Sequence, residues 1–225
     1  MQEVVETALE RLVGEPVRVH GASRTDAGVH AAGQVAHVRL SRGWPARALV
    51  EGGNQRLPAD VRLLGATAVA PEFHARGWAI AKEYLYRMSR APVLLPFDAP
   101  TTVKVTPALD LERLRAAVAL LEGRHDFSAF ARSGGSHRQP CRRIFRAELH
   151  DRDAALTFRI VGDGFLRGMV RALVGSLLWV ARGRLSLDAW AVLLKGEDRA
   201  RAGPSAPAHG LVLERVFYPD GPGWR

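Results

Sequence analysis

The strands that this sequence predicts follow one another closely along the chain. Strands near 143–149 and 154–161 are only a few residues apart, whereas parallel neighbours in one sheet need a connection of a dozen residues or more. Adjacent strands of this kind favour antiparallel pairing, and long helices interrupt them, which predicts the α+β class. The predicted strands lie near 17–20, 34–40, 61–69, 78–88, 143–149, 154–161 and 211–218. The predicted helices lie near 4–12, 46–57, 111–121, 164–181 and 187–194, with Asp163 as the N-cap of the fourth.

A proline-rich stretch divides the chain. Residues 91–110 contain Pro92, Pro96, Pro100 and Pro107 and show no hydrophobic periodicity, which is typical of a linker. We therefore predict an N-terminal α+β half over 1–90, a linker over 91–109 and a C-terminal α+β half over 110–225.

The charge balance indicates a polyanionic partner. The chain has 32 Lys and Arg residues against 23 Asp and Glu residues, a formal net charge of +9. Lysine occurs only at Lys82, Lys104 and Lys195, and the planar guanidinium of arginine suits two-point contacts with phosphate. Charge alone favours RNA or DNA binding only slightly, because an Ala- and Arg-rich composition can have another origin.

The number of cysteines and the first residues of the sequence indicate in which cellular compartment the protein is expected. Cys141 is the only cysteine, which excludes an intramolecular disulfide and a multi-cysteine zinc site. No basic segment followed by an apolar run opens the chain, and the longest apolar stretches are interrupted by arginine. We expect a cytoplasmic protein that is neither secreted nor membrane-embedded.

The stretch 21–33 concentrates the residues suited to chemistry. Asp26 lies between Gly21 and Gly28, beside Arg24 and Thr25, on a loop whose backbone can approach a ligand closely. The alternative is an ordinary turn, because Asp-Ala-Gly is a common turn sequence in which Asp accepts from downstream N–H groups. The loop alone does not decide between the two.

Residues 23–30, Ser-Arg-Thr-Asp-Ala-Gly-Val-His, resemble the signature loop of TruA-type tRNA pseudouridine synthases, Gly-Arg-Thr-Asp-Ala-Gly-Val-His. Only Ser23 departs from that pattern. Further segments resemble the family in the same order: 73–76 (Phe-His-Ala-Arg), 82–87 (Lys-Glu-Tyr-Leu-Tyr-Arg), 123–127 (Gly-Arg-His-Asp-Phe), 164–171 (Gly-Phe-Leu-Arg-Gly-Met-Val-Arg) and 210–213 (Gly-Leu-Val-Leu). The resemblance covers nearly the whole chain.

The resemblance implies an RNA-modifying isomerase. Asp26 would be the nucleophile or base that lets the glycosidic bond of a uridine break and the ring reattach through carbon. The reaction has no net redox or hydrolytic step, so we expect no cofactor and no metal. The sequence lacks a dinucleotide fingerprint, a P-loop and Cys/His zinc spacing, and His30, His37, His74 and His125 receive no role.

Other site residues follow from the same matches. Arg171 would be the ion-pair partner of Asp26, and Arg167, one helical turn earlier, would contact phosphate. Tyr84 would stack on the target base, whereas Tyr86 on the same strand face could simply belong to the core. Arg24 would occupy the space left by a flipped base, and Leu211 would form an apolar wall or a plain core position.

The family also implies an architecture and partners. It implies two similar halves whose antiparallel sheets join across a central catalytic cleft, with helices packed on the sheets. It further implies tRNA as the substrate, a target at positions 38–40 of the anticodon stem-loop, and a homodimer in which one tRNA contacts both subunits.

Two other functions remain open on the residues alone. A non-catalytic basic RNA-binding module would not depend on Asp26. A carboxylate-dependent nucleoside hydrolase would pair Asp26 with a second acid such as Glu83 or Asp163 and would release a free base.

One departure from the family lies at the beginning of the sequence. Family members carry an opening strand with a Tyr-Asp-Gly-Thr-like segment before the helix that resembles residues 2–6. A sheet without that strand would leave backbone groups unpaired. We therefore expect either a reading frame that starts upstream or an impaired form, unless the remaining strands close the gap.

Overall fold

The computed structural model describes residues 1–132, 139–196 and 199–219, which form two compact units. Unit 1 holds Met1–Arg24, Gln34–Ala79 and the chain from Tyr218. Unit 2 holds Thr25–Gly33 and Ile80–Phe217. The halves predicted over 1–90 and 110–225, with a linker between them, stay a prediction.

The elements mix helices and strands throughout the chain. The helices are α1 (Gln2–Val13), α2 (Ala46–Asn54), α3 (Leu111–Ala119), α4 (Met169–Ala181) and α5 (Leu187–Leu193). The strands are β1 (His20–Gly21), β2 (His30–Ala31), β3 (Ala36–His37), β4 (Ala81–Ser89), β5 (Val103–Lys104), β6 (Gly123–Asp126), β7 (Cys141–Arg152), β8 (Ala155–Gly162) and β9 (Leu211–Phe217). Single 3₁₀ turns occupy Ser128–Phe130, Arg199–Arg201 and Ala208–Gly210.

Unit 1 is built on α1, α2 and a small antiparallel ladder. Helix α1 ends at Gly14, whose φ of 77° and ψ of 18° give the left-handed conformation that favours glycine. Strands β1 and β3 pair antiparallel over two residues each. The core of this unit is apolar and consists of Leu9, Val13, Val17 and Val19. The prediction of a strand near 61–69 was wrong: that stretch contains no regular strand.

Three histidines that are distant in sequence meet in unit 1. The rings of His20 and His37 stack with centroids 4.9 Å apart, and His74 lies 4.9 Å from His37. The Nδ1 atom of His37 accepts a hydrogen bond of 3.1 Å from the backbone N–H of Ala75. Burial lowers the pKa of His37, and the charges of His20, His74 and Arg39 lower it further.

We expect the stability of unit 1 to fall with pH below about 6.5, the ordinary pKa of histidine. The unfolded chain takes up a proton on His37 as the pH falls through that value, whereas the folded chain resists it because its pKa is lowered. His37→Asn keeps an acceptor for the Ala75 N–H and cannot titrate. The thermal midpoint should therefore drop more between pH 7.5 and 5.5 for the wild type than for His37→Asn; equal drops would refute the assignment to His37.

A mixed sheet organises unit 2. Its strand order is β2-β9-β4-β8-β7-β6, and β5 adds to the end of β4. The pairs β9–β4, β4–β8, β8–β7 and β7–β6 are antiparallel, while β2–β9 and β4–β5 are parallel. The predicted α+β class with antiparallel sheets is confirmed.

The central strand β4 carries the tyrosines singled out in the sequence. Tyr84 lies opposite Ile160 of β8 and Leu213 of β9, and the pairing with β9 shifts register between Glu83 and Tyr84. The extra residue of this irregularity, Glu214, lies in β9, so β4 keeps its alternation, and Glu83 and Tyr84 are buried on opposite faces of the sheet.

Helices α3, α4 and α5 pack together in unit 2. Most of α4 is buried, and the indole N–H of Trp190 in α5 donates to the carbonyl of Ala117 in α3 over 2.9 Å. Asp110 caps α3 and Ser186 caps α5 through their side chains. Within the described ranges, no helix has the length and apolar character needed to cross a membrane.

The prediction for the start of α4 was wrong. The helix begins at Met169 instead of Gly164, and its N-cap is Gly168 with φ of 72°. Asp163 is not the cap, because its Oδ1 accepts from the backbone N–H of Arg143 over 3.1 Å. Consequently Arg171 lies in the first turn of α4, whereas Arg167 precedes the helix.

Candidate active site

Asp26 occupies the first position of a tight turn in unit 2. The backbone N–H of Val29 donates to the Asp26 carbonyl over 3.0 Å, and Gly28 has φ of 79°. Immediately downstream, β2 pairs with β9 at Val212 and Leu213. The turn that the sequence offered as the alternative to a reactive loop is therefore present, and it presents Asp26 from a fixed backbone.

The side chain of Arg171 reaches Asp26 across 145 residues of sequence. Its Nη1 lies 3.2 Å from Oδ2 of Asp26, and the two side chains are 19% and 18% exposed. Its Nε donates to the carbonyl of Ala206 over 2.8 Å. The hydrogen bond to Ala206 holds the guanidinium in place beside the carboxylate. The attraction between the two charges is strong because little water surrounds either group.

This ion pair lies in a cleft of about 250 Å³. Three of its lining residues are arginines, and Asp26 is the one carboxylate among those that the structure describes. The lining residues are Asp26, Phe130, Arg132, Gly168, Arg171, Arg199 and Ser205. A concave site with excess positive charge attracts phosphate and raises the local concentration of a polyanion.

Two of these arginines were missed in the sequence. Arg199 donates from Nη1 to the carbonyl of Gly203 over 3.0 Å and from Nη2 to Oγ of Ser205 over 3.4 Å. The backbone N–H of Arg132 donates to the carbonyl of Arg167 over 2.9 Å, next to the start of α4. In a chain so rich in arginine, neither residue lies in a motif that distinguishes it, so only the fold could find them.

Tyr84 and Leu211 are more enclosed than a stacking residue and a pocket wall require. Tyr84 is 7% exposed and meets the ring of Phe165 edge-on at 5.1 Å. Leu211 is 6% exposed and lies opposite Tyr86 in the sheet. Within the described part of the chain neither lines the cleft around Asp26, and their roles stay predictions.

Arg24 and Arg167 are both exposed. Arg24 ends the first segment of unit 1, two residues before Asp26, and Arg167 lies in the turn before α4. The prediction that Arg167 lies one helical turn before Arg171 was wrong, because the helix starts between them. The proposed contacts of both exposed side chains with RNA stay predictions.

The two acids considered as hydrolase partners are engaged elsewhere. Glu83 is 6% exposed and pairs with Nε of Arg159 at 2.5 Å, and the same guanidinium binds Glu148 at 2.9 Å. Asp163 accepts from the backbone of Arg143. Neither residue lines the described part of the cleft with Asp26. In the described ranges, no three His, Cys, Asp or Glu side chains are grouped so that they could hold a metal ion.

Comparison with known proteins identifies the family. Residues 117–219 match the model of a family described as tRNA pseudouridine synthase. A tRNA pseudouridine synthase A of Myxococcus xanthus is 44% identical over 99% of this chain and 84% of the relative. Proteins of the same name from Geobacter sp. (strain M21) and Neisseria gonorrhoeae are 40% and 39% identical, over 98% and 97% of this chain and 90% and 83% of the relatives. The family predicted from the motifs is confirmed: the chain belongs to the tRNA pseudouridine synthases.

Proposed function

We propose that this protein isomerises uridine to pseudouridine in tRNA, with Asp26 as the catalytic nucleophile. The observation that carries the proposal is the Asp26–Arg171 ion pair at 3.2 Å inside an arginine-lined cleft. The names of the relatives state the same activity for those proteins.

The chemistry requires one reactive carboxylate and no redox partner. The bond between N1 and C1′ of the uridine breaks, and a bond between C5 and C1′ forms. C5 loses a proton and N1 gains one, so the product is an isomer of the substrate. Ionised Asp26 attacks the nucleoside, and the bond that it forms is broken again before the product leaves, so the free carboxylate is regenerated. Arg171 stabilises the charge of that carboxylate as water leaves the cleft. Nothing is added to the substrate, which accords with a cleft whose described lining has one carboxylate among cations.

The remaining site residues bind and shape the RNA. Arg24 occupies the space left by the flipped base, Tyr84 stacks on that base, and Leu211 supplies an apolar wall. Arg167 contacts phosphate from its exposed position before α4. Arg132 and Arg199 extend the positive lining of the cleft toward the nucleotides beside the target.

The finer substrate and the assembly follow from the family resemblance. We propose uridines at positions 38–40 of the anticodon stem-loop as the targets, a homodimer as the working form, and the cytoplasm as the compartment. The net charge of +9 supports a large anionic substrate for each subunit.

The test uses unmodified tRNA and mass spectrometry. Isomerisation leaves the mass of tRNA unchanged, so the product is derivatised with a reagent selective for pseudouridine and then fragmented. We expect derivatised sites at positions 38–40 and no free uracil. Release of uracil would indicate a hydrolase, and binding without derivatised sites would indicate an RNA-binding module. Derivatised sites elsewhere would correct the positions alone.

A further inference from the structure

A short stretch of chain, residues 203–210, contacts Arg171 and the turn that carries Asp26, and we call it the anchoring segment. Its Ala206 carbonyl accepts from Nε of Arg171 over 2.8 Å. Its Ala206 N–H donates to the backbone carbonyl of Arg171 over 2.9 Å. With Nε committed to Ala206, the position of that carbonyl decides where Nη1 meets Asp26.

The anchoring segment also touches the turn that carries Asp26. A Cβ atom placed on Gly28 would lie 3.3 Å from the Cβ of Ala208, so the turn and the segment are in close contact. A shift of residues 206–208 would therefore move the supports of the carboxylate and of the guanidinium together.

Helix α4 fixes the first end of the segment. The hydroxyl of Ser176 is fully buried; it accepts from the N–H of Gly203 over 2.9 Å and donates to the carbonyl of Ala172 over 2.9 Å. The backbones are so close that a Cβ on Gly175 would lie 1.7 Å from the carbonyl oxygen of Pro204. This end of the segment cannot move without separating from the helix that carries Arg171.

Tyr86 fixes the segment just beyond Ala206. Its hydroxyl donates to the carbonyl of Pro207 over 2.9 Å, and its residue exposure is 0%. Burial raises the pKa of this phenol, so the hydroxyl keeps the proton that it donates. A Cβ on Gly210 would lie 2.9 Å from the Tyr86 ring, which shows that the ring also supports the end of the segment.

We propose that Tyr86 and Ser176 are positioning residues for catalysis, which act through the anchoring segment and set the geometry of Asp26 and Arg171. The inference rests on the proposed function. Neither side chain belongs to the described lining of the cleft, and each holds the backbone on one side of Ala206. A change of geometry at the reacting atoms lowers the rate of chemistry more than it lowers affinity for a substrate bound mainly through phosphates.

The test compares Tyr86→Phe and Ser176→Ala with the wild type in single-turnover reactions on tRNA. We expect each variant to lower the rate constant by about ten-fold at saturating enzyme, while Kd for tRNA stays within about two-fold. The final amount of pseudouridine should be unchanged, because every molecule still reacts, only more slowly. A variant that is only partly misfolded would keep the wild-type rate constant, because at saturating enzyme its folded fraction still exceeds the tRNA.

Tyr218→Phe is the matched control. Its hydroxyl also donates to a backbone carbonyl, that of Ala75 over 2.5 Å, but in unit 1. We expect a wild-type rate constant for this variant, although the same kind of hydrogen bond is lost. Rate constants for Tyr86→Phe and Ser176→Ala equal to that of Tyr218→Phe would overturn the inference and leave the proposed function intact. A wild-type protein that forms no pseudouridine would instead overturn both.

Discussion

Asp26→Asn is expected to eliminate pseudouridine formation and to leave tRNA affinity within a few-fold of the wild type. The amide matches the carboxyl in size and can still face Arg171, but it carries no charge and is a far weaker nucleophile. Affinity should persist because phosphate contacts from a protein of net charge +9 depend little on one carboxylate. A turnover assay and a binding titration on the same preparation measure the two effects separately.

Asp163→Asn is the matched control for this substitution. Asp163 is an exposed acid whose Oδ1 accepts from the backbone N–H of Arg143, a bond that the amide oxygen can replace. We expect its turnover to equal that of the wild type. Persistent turnover in Asp26→Asn would refute the nucleophile assignment, and loss of turnover in Asp163→Asn would restore this residue as a candidate second acid.

The sequence predicted the long elements of the fold well. Strands β7, β8 and β9 and helices α1 and α3 extend over enough residues for hydrophobic periodicity to emerge. The strands predicted near 17–20 and 34–40 overlap only the two-residue strands β1 and β3, and β2 was not predicted; tertiary contacts fix the pairing of all three. The start of α4 was misplaced because Asp163 matched the preference for an N-cap, whereas the actual cap is a glycine with positive φ.

The candidate site was predictable only in part, and the reason is sequence separation. The Asp26 loop is contiguous and could be recognised as a motif. Arg171 is 145 residues away, and only the family resemblance connected it with Asp26 before the structure placed it at 3.2 Å. Arg132 and Arg199 line the cleft as well, but no sequence motif marks them, so only the folded structure shows that they lie there.

Tyr86 illustrates the same limit for supporting residues. Alternation along β4 could predict that Tyr86 shares a face with Tyr84. It could not predict the hydrogen bond from Tyr86 to Pro207, which lies 121 residues later in the sequence. The histidines at positions 20, 37 and 74 likewise showed no spacing in sequence and meet only in the fold. Contacts of this kind depend on how distant segments pack, which local patterns do not encode.

Arg171→Ala is expected to lower the rate of pseudouridine formation by about 100-fold, and Arg171→Lys by about 10-fold, at saturating enzyme. Alanine leaves the Asp26 carboxylate, only 18% exposed, without its partner and leaves the Ala206 carbonyl without its donor. Lysine restores a positive charge, but its single ammonium lacks the planar fork that contacts Ala206 and Asp26 together. Single-turnover rates of the three proteins measure this order.

Arg167→Ala separates the role of Arg171 from that of positive charge in general. Arg167 is exposed and precedes α4, so we expect its loss to weaken tRNA binding a few-fold. The slope of log Kd against the logarithm of salt concentration should fall by about one, the contribution of one phosphate contact. The rate constant of this variant at saturating enzyme should stay near that of the wild type, because no group near Asp26 loses a partner. A slow Arg167→Ala beside a normal Arg171→Ala would mean that the catalytic arginine had been wrongly assigned. The ion pair at 3.2 Å would then be a structural contact that the chemistry does not use.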